Sequence, residues 1–147
     1  MKIAIGSDHG GFKLKGAIIK FLKTKDRSVK DFGTFSEGPC DYPIVGYEVS
    51  RAVGARKFSK GILICTTGIG MSMVANKMKG VRAALCDRVD IARSSRLHND
   101  ANVLVLAAKV VSGVKAKRIV DIWLSTSALS GRHKRRVNQI KKIDRKR

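Results

Sequence analysis

Gly61-Ile62-Leu63-Ile64-Cys65-Thr66-Thr67-Gly68-Ile69-Gly70-Met71 is the stretch on which the fold turns. Gly61 to Cys65 is an apolar run of strand length, and Met71 to Lys79 continues with helical character, so a strand enters a helix through a glycine-bent loop. Cys65 then stands at the mouth of the strand, where backbone N–H groups point at whatever its sulfur touches. Glycines at 68 and 70 permit positive φ and bring those amides close to a ligand. A thiol is a base or nucleophile only as thiolate, a form that a helix N-terminus and cationic neighbours favour. The same loop has the donors to hold a developing oxyanion. The plainer reading is an inert core cysteine before an ordinary strand-to-helix turn, and these residues alone do not separate the two.

Outward from that stretch the alternation repeats. Lys2 to Gly6 reads as a strand and Phe12 to Leu22 as a helix, with Phe12, Ile18, Ile19 and Leu22 in a buried stripe. Val29 to Phe32 is a second strand. Pro43 suits an early helical position after Asp41, with Ile44, Val45, Val49 and Val53 as the apolar face. Val81 to Leu85 is a fourth strand, followed by a helix from an Asp87 cap to about Leu97, and Asn102 to Leu106 is a fifth. Two further helices cover about Lys115 to Leu124 and Arg132 to Ile143. Short apolar strands separated by helices make parallel crossover units, which predicts a doubly wound, five-stranded parallel sheet in a three-layer α/β/α arrangement. Ligands on such sheets bind outside the carboxyl ends of the strands. The loops there carry Ser7-Asp8-His9-Gly10-Gly11, the Cys65 loop, Asp87 and Lys109.

Length and composition set the class. A chain of 147 residues is expected to form one domain, with a C-terminal helix and basic tail from about residue 131. No run of 18 apolar residues spans a bilayer, and Met1-Lys2 leads straight into a strand with no apolar signal region, which predicts a cytoplasmic protein. Three cysteines, at 40, 65 and 86, have neither the number nor the spacing of a disulfide framework or zinc ribbon. Cys86 ends an apolar run and reads as core packing. The formal net charge is +20, and residues 132 to 147 hold nine Lys or Arg against one acid. Such an excess suits nucleic acid or a polyanionic substrate. With 5% aromatics, base-stacking platforms are hard to build, so nucleic acid is the lesser alternative. Lys13, Lys15, Lys20 and Lys23 read as a solvated helix face.

Three motifs fail on inspection. Gly68-Ile69-Gly70 begins like a dinucleotide fingerprint with Asp87 near the ribose-binding distance, but Met73 fills the third glycine position. Gly6 and Gly11 have P-loop spacing, yet Phe12 and Lys13 stand where Lys and Ser or Thr belong. Asp8, His9, His98 and Asp100 offer no i, i+4 pair on one helix for a metal. No metal and no organic cofactor are expected.

Read together, Gly6-Ser7-Asp8-His9-Gly10-Gly11-Phe12, Asp41-Tyr42-Pro43, Cys65 to Ser72, Ala75-Asn76-Lys77, Gly80-Val81-Arg82-Ala83, Ser95-Arg96-Leu97-His98-Asn99-Asp100 and Gly131-Arg132-His133 resemble the ribose-5-phosphate isomerase B family. That family also contains the galactose-6-phosphate isomerase subunits. The likeness runs in register from residue 3 to about residue 143. It implies a metal-free aldose–ketose isomerase acting on ribose 5-phosphate and ribulose 5-phosphate, on a Rossmann-like sheet. It also implies a homodimer with active sites between subunits, open to further pairing as a dimer of dimers. By this resemblance Cys65 is the base that moves a proton between C2 and C1 of an enediolate. Asp8, Thr67 and His98 surround the sugar ring oxygen and hydroxyls for ring opening. The amides of Thr66, Thr67, Gly68, Ile69 and Gly70 face the enediolate, with Asn99 beside it and Tyr42 among the substrate-binding positions. His9, Arg132 and Arg136 form the phosphate clamp, and His98 and Asn99 come from the partner chain.

The chemistry of these side chains agrees. Arg132 and Arg136, at i, i+4, project from one helix face toward a phosphate dianion, and an imidazole exchanges protons near neutrality. Three departures stand out: Thr66 where glycine is common, Lys109 where an arginine is expected near the phosphate or dimer contact, and the high net charge. Hexose 6-phosphates, galactose or allose, would use the same enediolate step; by resemblance, His98 favours ribose.

Overall fold

The computed structural model describes residues 1–146. Its elements are β1 (Lys2–Ser7), α1 (Phe12–Thr24), β2 (Ser28–Asp31), α2 (Tyr42–Gly54), β3 (Lys60–Cys65), α3 (Ile69–Asn76), β4 (Ala83–Leu85), α4 (Val89–Asn99), β5 (Val103–Ala107), α5 (Gly113–Ser125) and α6 (Arg132–Arg145), with a 3-10 turn at His9–Gly11. The five strands form one parallel sheet in the order β2-β1-β3-β5-β4. The predicted doubly wound sheet is therefore present, with the last two strands exchanged in space relative to the chain. Burial explains the exchange: Val103 to Ala107 are all buried, as an interior parallel strand requires, whereas β4 is short and half-buried at the edge.

Side chains alternate across the sheet. Ile3, Ile5, Ile62, Ile64, Leu104 and Leu106 face α1 and α5, where Ile18, Leu22, Ile119 and Trp123 complete one core layer. Ala4, Leu63, Cys65, Val103 and Val105 face α2 and α3, where Val49, Val53, Met71 and Ala75 complete the other. Each large apolar side chain so removed from water contributes roughly 1.5–3 kcal/mol before its entropy is counted.

Five expectations need correction. The buried stripe of α2 is Gly46, Val49, Ser50 and Val53, at i, i+3, i+4 and i+7, which turns Ile44 outward to 66% exposure. Helix α3 starts at Ile69 because Gly68, in the left-handed region at φ 77°, already turns the chain. Asp87 does not cap α4: Arg88 holds that position without a side-chain cap, leaving Asp87 one residue outside. Strand β4 begins at Ala83, later than expected, with side chains taking the amides at its start: Arg82 N–H donates to Asn102 Oδ1 and Ala83 N–H to Asn76 Oδ1. Lys15, finally, is not on a solvated face; it is 2% exposed and paired with Asp31.

The placement that matters lies at the centre. β1 and β3 are neighbours, β1 leading to α1 on one face and β3 to α3 on the other. Their loops diverge and open a crevice at the carboxyl ends of the strands.

Candidate active site

Two loops meet in that crevice. Asp8 N–H donates to the Ile64 carbonyl (3.2 Å), and Asp8 Oδ1 accepts from Gly11 N–H (2.9 Å), so the carboxylate is 6% exposed and fixed at the start of α1. His9 is exposed, and its Nδ1 accepts from Cys40 N–H at 3.3 Å. Gly10 lies against Thr66: a Cβ at residue 10 would come within 2.1 Å of Thr66 Oγ1. The β-branched residue at 66 is thus accommodated by the missing side chain opposite. Tyr42, at the first turn of α2, packs on Gly70, where a Cβ would stand 2.5 Å from its ring. From β5, Lys109 N–H donates to the Thr66 carbonyl (3.0 Å) and Ala108 N–H to that of Cys65 (2.8 Å). Asp8, His9, Tyr42, Thr66, Thr67, Gly68, Ile69, Gly70 and Lys109 therefore come together around Cys65.

The sulfur at the centre is an acceptor. Cys65 is 5% exposed, and its Sγ receives Gly68 N–H at 3.0 Å, while Ile69 N–H points to Thr67 Oγ1 at 3.4 Å. Cys86, at the end of the β4 segment, is the opposite case. Its thiol donates to the Ala84 carbonyl at 3.6 Å, and burial pushes its pKa up to about 11. Core packing was the expected role of Cys86, and its surroundings fit that role.

His98, Asn99, Arg132 and Arg136 form a second group elsewhere. α4 leaves the carboxyl end of the sheet after β4 and returns to the amino end before β5, about 16 Å along its axis for 11 residues. His98, in its last turn, therefore lies at the far end of the sheet from Cys65 of the same chain. There its ring stacks on His133, centroids 4.4 Å apart and 14° between planes. Desolvation, then repulsion from His98, Arg132 and Arg136, holds the His133 pKa below the ordinary imidazole value. Asp100, in the left-handed region at φ 46°, secures the turn beyond His98: Arg96 Nη1 donates to Oδ1 (2.7 Å) and Arg82 Nη2 to Oδ2 (2.9 Å). Burial pushes the Asp100 carboxyl up, but the Arg96 bond and the charges of Arg82, Arg96 and Lys60 outweigh it and leave the pKa lowered. A cavity of 660 Å³ between the ends of α2 and α6 includes none of the residues around Cys65.

His133 and Arg96 stand inside recognisable motifs, but the sequence does not show their partners. The i, i+4 spacing of Arg96 and Asp100 was the available signal for that pair; nothing local marked the stacking of two histidines 35 positions apart.

Residues 3–140 match the family described as Ribose/Galactose Isomerase. The chain belongs to that family. Ribose-5-phosphate isomerase B of Escherichia coli K12 is 44% identical over 146 residues, covering 99% of this chain and 98% of that protein. Among solved structures, Clostridium thermocellum ribose-5-phosphate isomerase B superposes with a TM-score of 0.97 at 49% identity, with 99% of both chains covered. The Mycoplasma genitalium enzyme with bound ribulose 5-phosphate gives a TM-score of 0.95 at 39% identity, covering 99% of this chain and 97% of that one. The ribose/galactose isomerase fold is thus present over nearly the whole chain.

Proposed function

We propose that the protein interconverts ribose 5-phosphate and ribulose 5-phosphate as one isomerase domain over residues 1–147. The observation that carries this reading is the Cys65 sulfur, held by the Gly68 amide beside the Asp8-His9 loop at the sheet's carboxyl edge. Asp8, Thr67 and a partner's His98 open the furanose by moving a proton from the O1 hydroxyl to the ring oxygen. Cys65, as thiolate, then takes the proton from C2 of the open aldose. The electron pair passes to the C1–C2 bond and to O1, giving a cis-enediolate that amides of the loop and a partner's Asn99 stabilise. Return of the proton to C1, with transfer of the O2 proton to O1, yields the ketose. His9 and Lys109 hold the phosphate from one chain, and Arg132 and Arg136 of a partner from the other.

In this reading the site is shared in a homodimer, and the placement of Cys65 and His98 of one chain at opposite ends of the sheet supports it. The reaction needs no metal and no organic cofactor, and a cytoplasmic location accompanies it. No helix among the described residues is long and apolar enough to cross a membrane.

The test is conversion of ribose 5-phosphate by purified protein in EDTA, followed beside galactose 6-phosphate and allose 6-phosphate. Mixing Cys65→Ala with His98→Ala subunits, each inactive alone, should restore about one quarter of wild-type activity, since half the dimers then hold one intact site of two. No activity on any sugar phosphate would overturn the reading; activity without complementation would overturn the shared site alone.

A further inference from the structure

The charged group most thoroughly removed from water among the described residues is Lys15, one turn into α1 and 2% exposed. Its Nζ donates to both oxygens of Asp31, at 2.7 and 2.9 Å, and to the Thr34 carbonyl, with the rings of Phe12 and Phe35 at 5.6 and 5.2 Å. Asp31 Oδ1 also accepts from Gly33 N–H at 2.8 Å. An ion pair with one buried member, Lys15, and one half-buried, Asp31, is weak evidence for stability, because apolar packing serves as well without the desolvation penalty. Its use has to be sought in what it holds.

What it holds is the segment that clasps Ser7. Ser7 N–H donates to the Gly33 carbonyl and Thr34 N–H to the Ser7 carbonyl, both at 2.7 Å, so residues 33 and 34 continue the β1 pairing beyond the end of β2. Asp8 is the next residue. Its own amide is tied to Ile64 on β3 and its carboxylate to Gly11 at the foot of α1. Asp8 therefore stands at the corner of three elements, and the Lys15 ammonium fixes α1 to the third of them, the loop after β2.

We propose that Lys15 and Asp31 are positioning residues for Asp8: their ion pair sets where that carboxylate stands over the Cys65 loop. The inference rests on the isomerase reading, in which Asp8 acts at the sugar ring. The imidazole of His9 is tied to the Cys40 amide at the other end of the loop after β2, beside the start of α2, so loosening the Lys15 pair displaces Asp8 more than it displaces the phosphate grip. The kinetic signature is a fall in kcat with KM nearly unchanged.

Two variants test this. Lys15→Met keeps the length of the side chain and removes its charge. The double variant Lys15→Met/Asp31→Leu also removes the stranded carboxylate and refills the site with apolar atoms. With ribose 5-phosphate, both should lose about ten- to hundredfold in kcat, the scale of a displacement near 1 Å, with KM within about threefold. The double variant should keep the thermal midpoint of the parent. A double variant as stable and as active as the parent would overturn the positioning role and leave the isomerase reading intact. So would a loss carried entirely by KM. A parent protein inert on sugar phosphates would remove the isomerase reading and this inference with it.

Discussion

Cys65 and Cys86 are both buried, both at carboxyl ends of strand segments in one sheet, and opposite in hydrogen bonding. Cys65 Sγ accepts a hydrogen bond from a backbone amide, whereas the Cys86 thiol donates one to a carbonyl. An amide aimed at sulfur favours the anion; a carbonyl aimed at it favours the protonated thiol. Position on the sheet accounts for the difference. β3 is interior and its loop bends back through Gly68 over the crevice beside β1, while β4 is the edge strand and its continuation folds under α4 and α5. Burial is common to both cysteines; the polarity of the backbone group against each sulfur is what differs.

The contrast is broken most directly by removing each sulfur in turn. Cys65→Ala should lower kcat on ribose 5-phosphate by about a thousandfold, within the usual worth of a general base, with the fold intact by circular dichroism. Comparable activity in Cys65→Ala and the parent would end the contrast. Gly68→Ala sharpens it, since φ at 68 is 77° and an added Cβ would stand 2.3 Å from Leu85 Cδ1. The donor amide must then move off the sulfur, and kcat should fall about ten- to hundredfold with a loss of about 1–2 kcal/mol in urea unfolding. Cys86→Ala should reverse the pattern: activity within about twofold of the parent, and a thermal midpoint a few degrees lower for a cavity worth about 1–2 kcal/mol.

The pH dependence of stability tests the same thiol without touching activity. Burial raises the Cys86 pKa to about 11. Above an ordinary thiol value near 8.5 the unfolded chain therefore releases this proton while the folded chain keeps it. Stability from Cys86 is complete below that ordinary value and is lost as pH rises through the folded value of about 11. Lys60 runs the other way: burial, then the charge of Arg96, lowers its pKa to about 8, so it adds stability as pH rises above that point. The difference between parent and Cys86→Ala isolates the thiol. Urea titrations at pH 8 and 10.5 should show the parent's advantage shrinking by on the order of 2 kcal/mol.

Much of this was legible locally. The run from Gly61 to Gly70 announced a strand, a glycine turn and a helix, and the structure has all three, with the helix two residues earlier. The exchange of β4 and β5 was not legible, because apolar runs report burial and not neighbours. Lys15 was misread as solvated because its spacing from Lys13 and Lys20 says nothing of Asp31, sixteen positions away. The His98 group was legible as a motif and not as a place.

By itself the sequence determined the alternation of strand and helix, the glycines that bend the loops, and the residue types able to hold phosphate and move protons, because these depend on periodicity and backbone freedom within a few residues. Tertiary structure alone decided which strands are neighbours, which cysteine faces an amide, which lysine is buried, and that Cys65 and His98 of one chain stand at opposite ends of the sheet. Those outcomes depend on contacts between distant segments, where the competition for buried area and hydrogen-bond partners is settled by the whole packed chain.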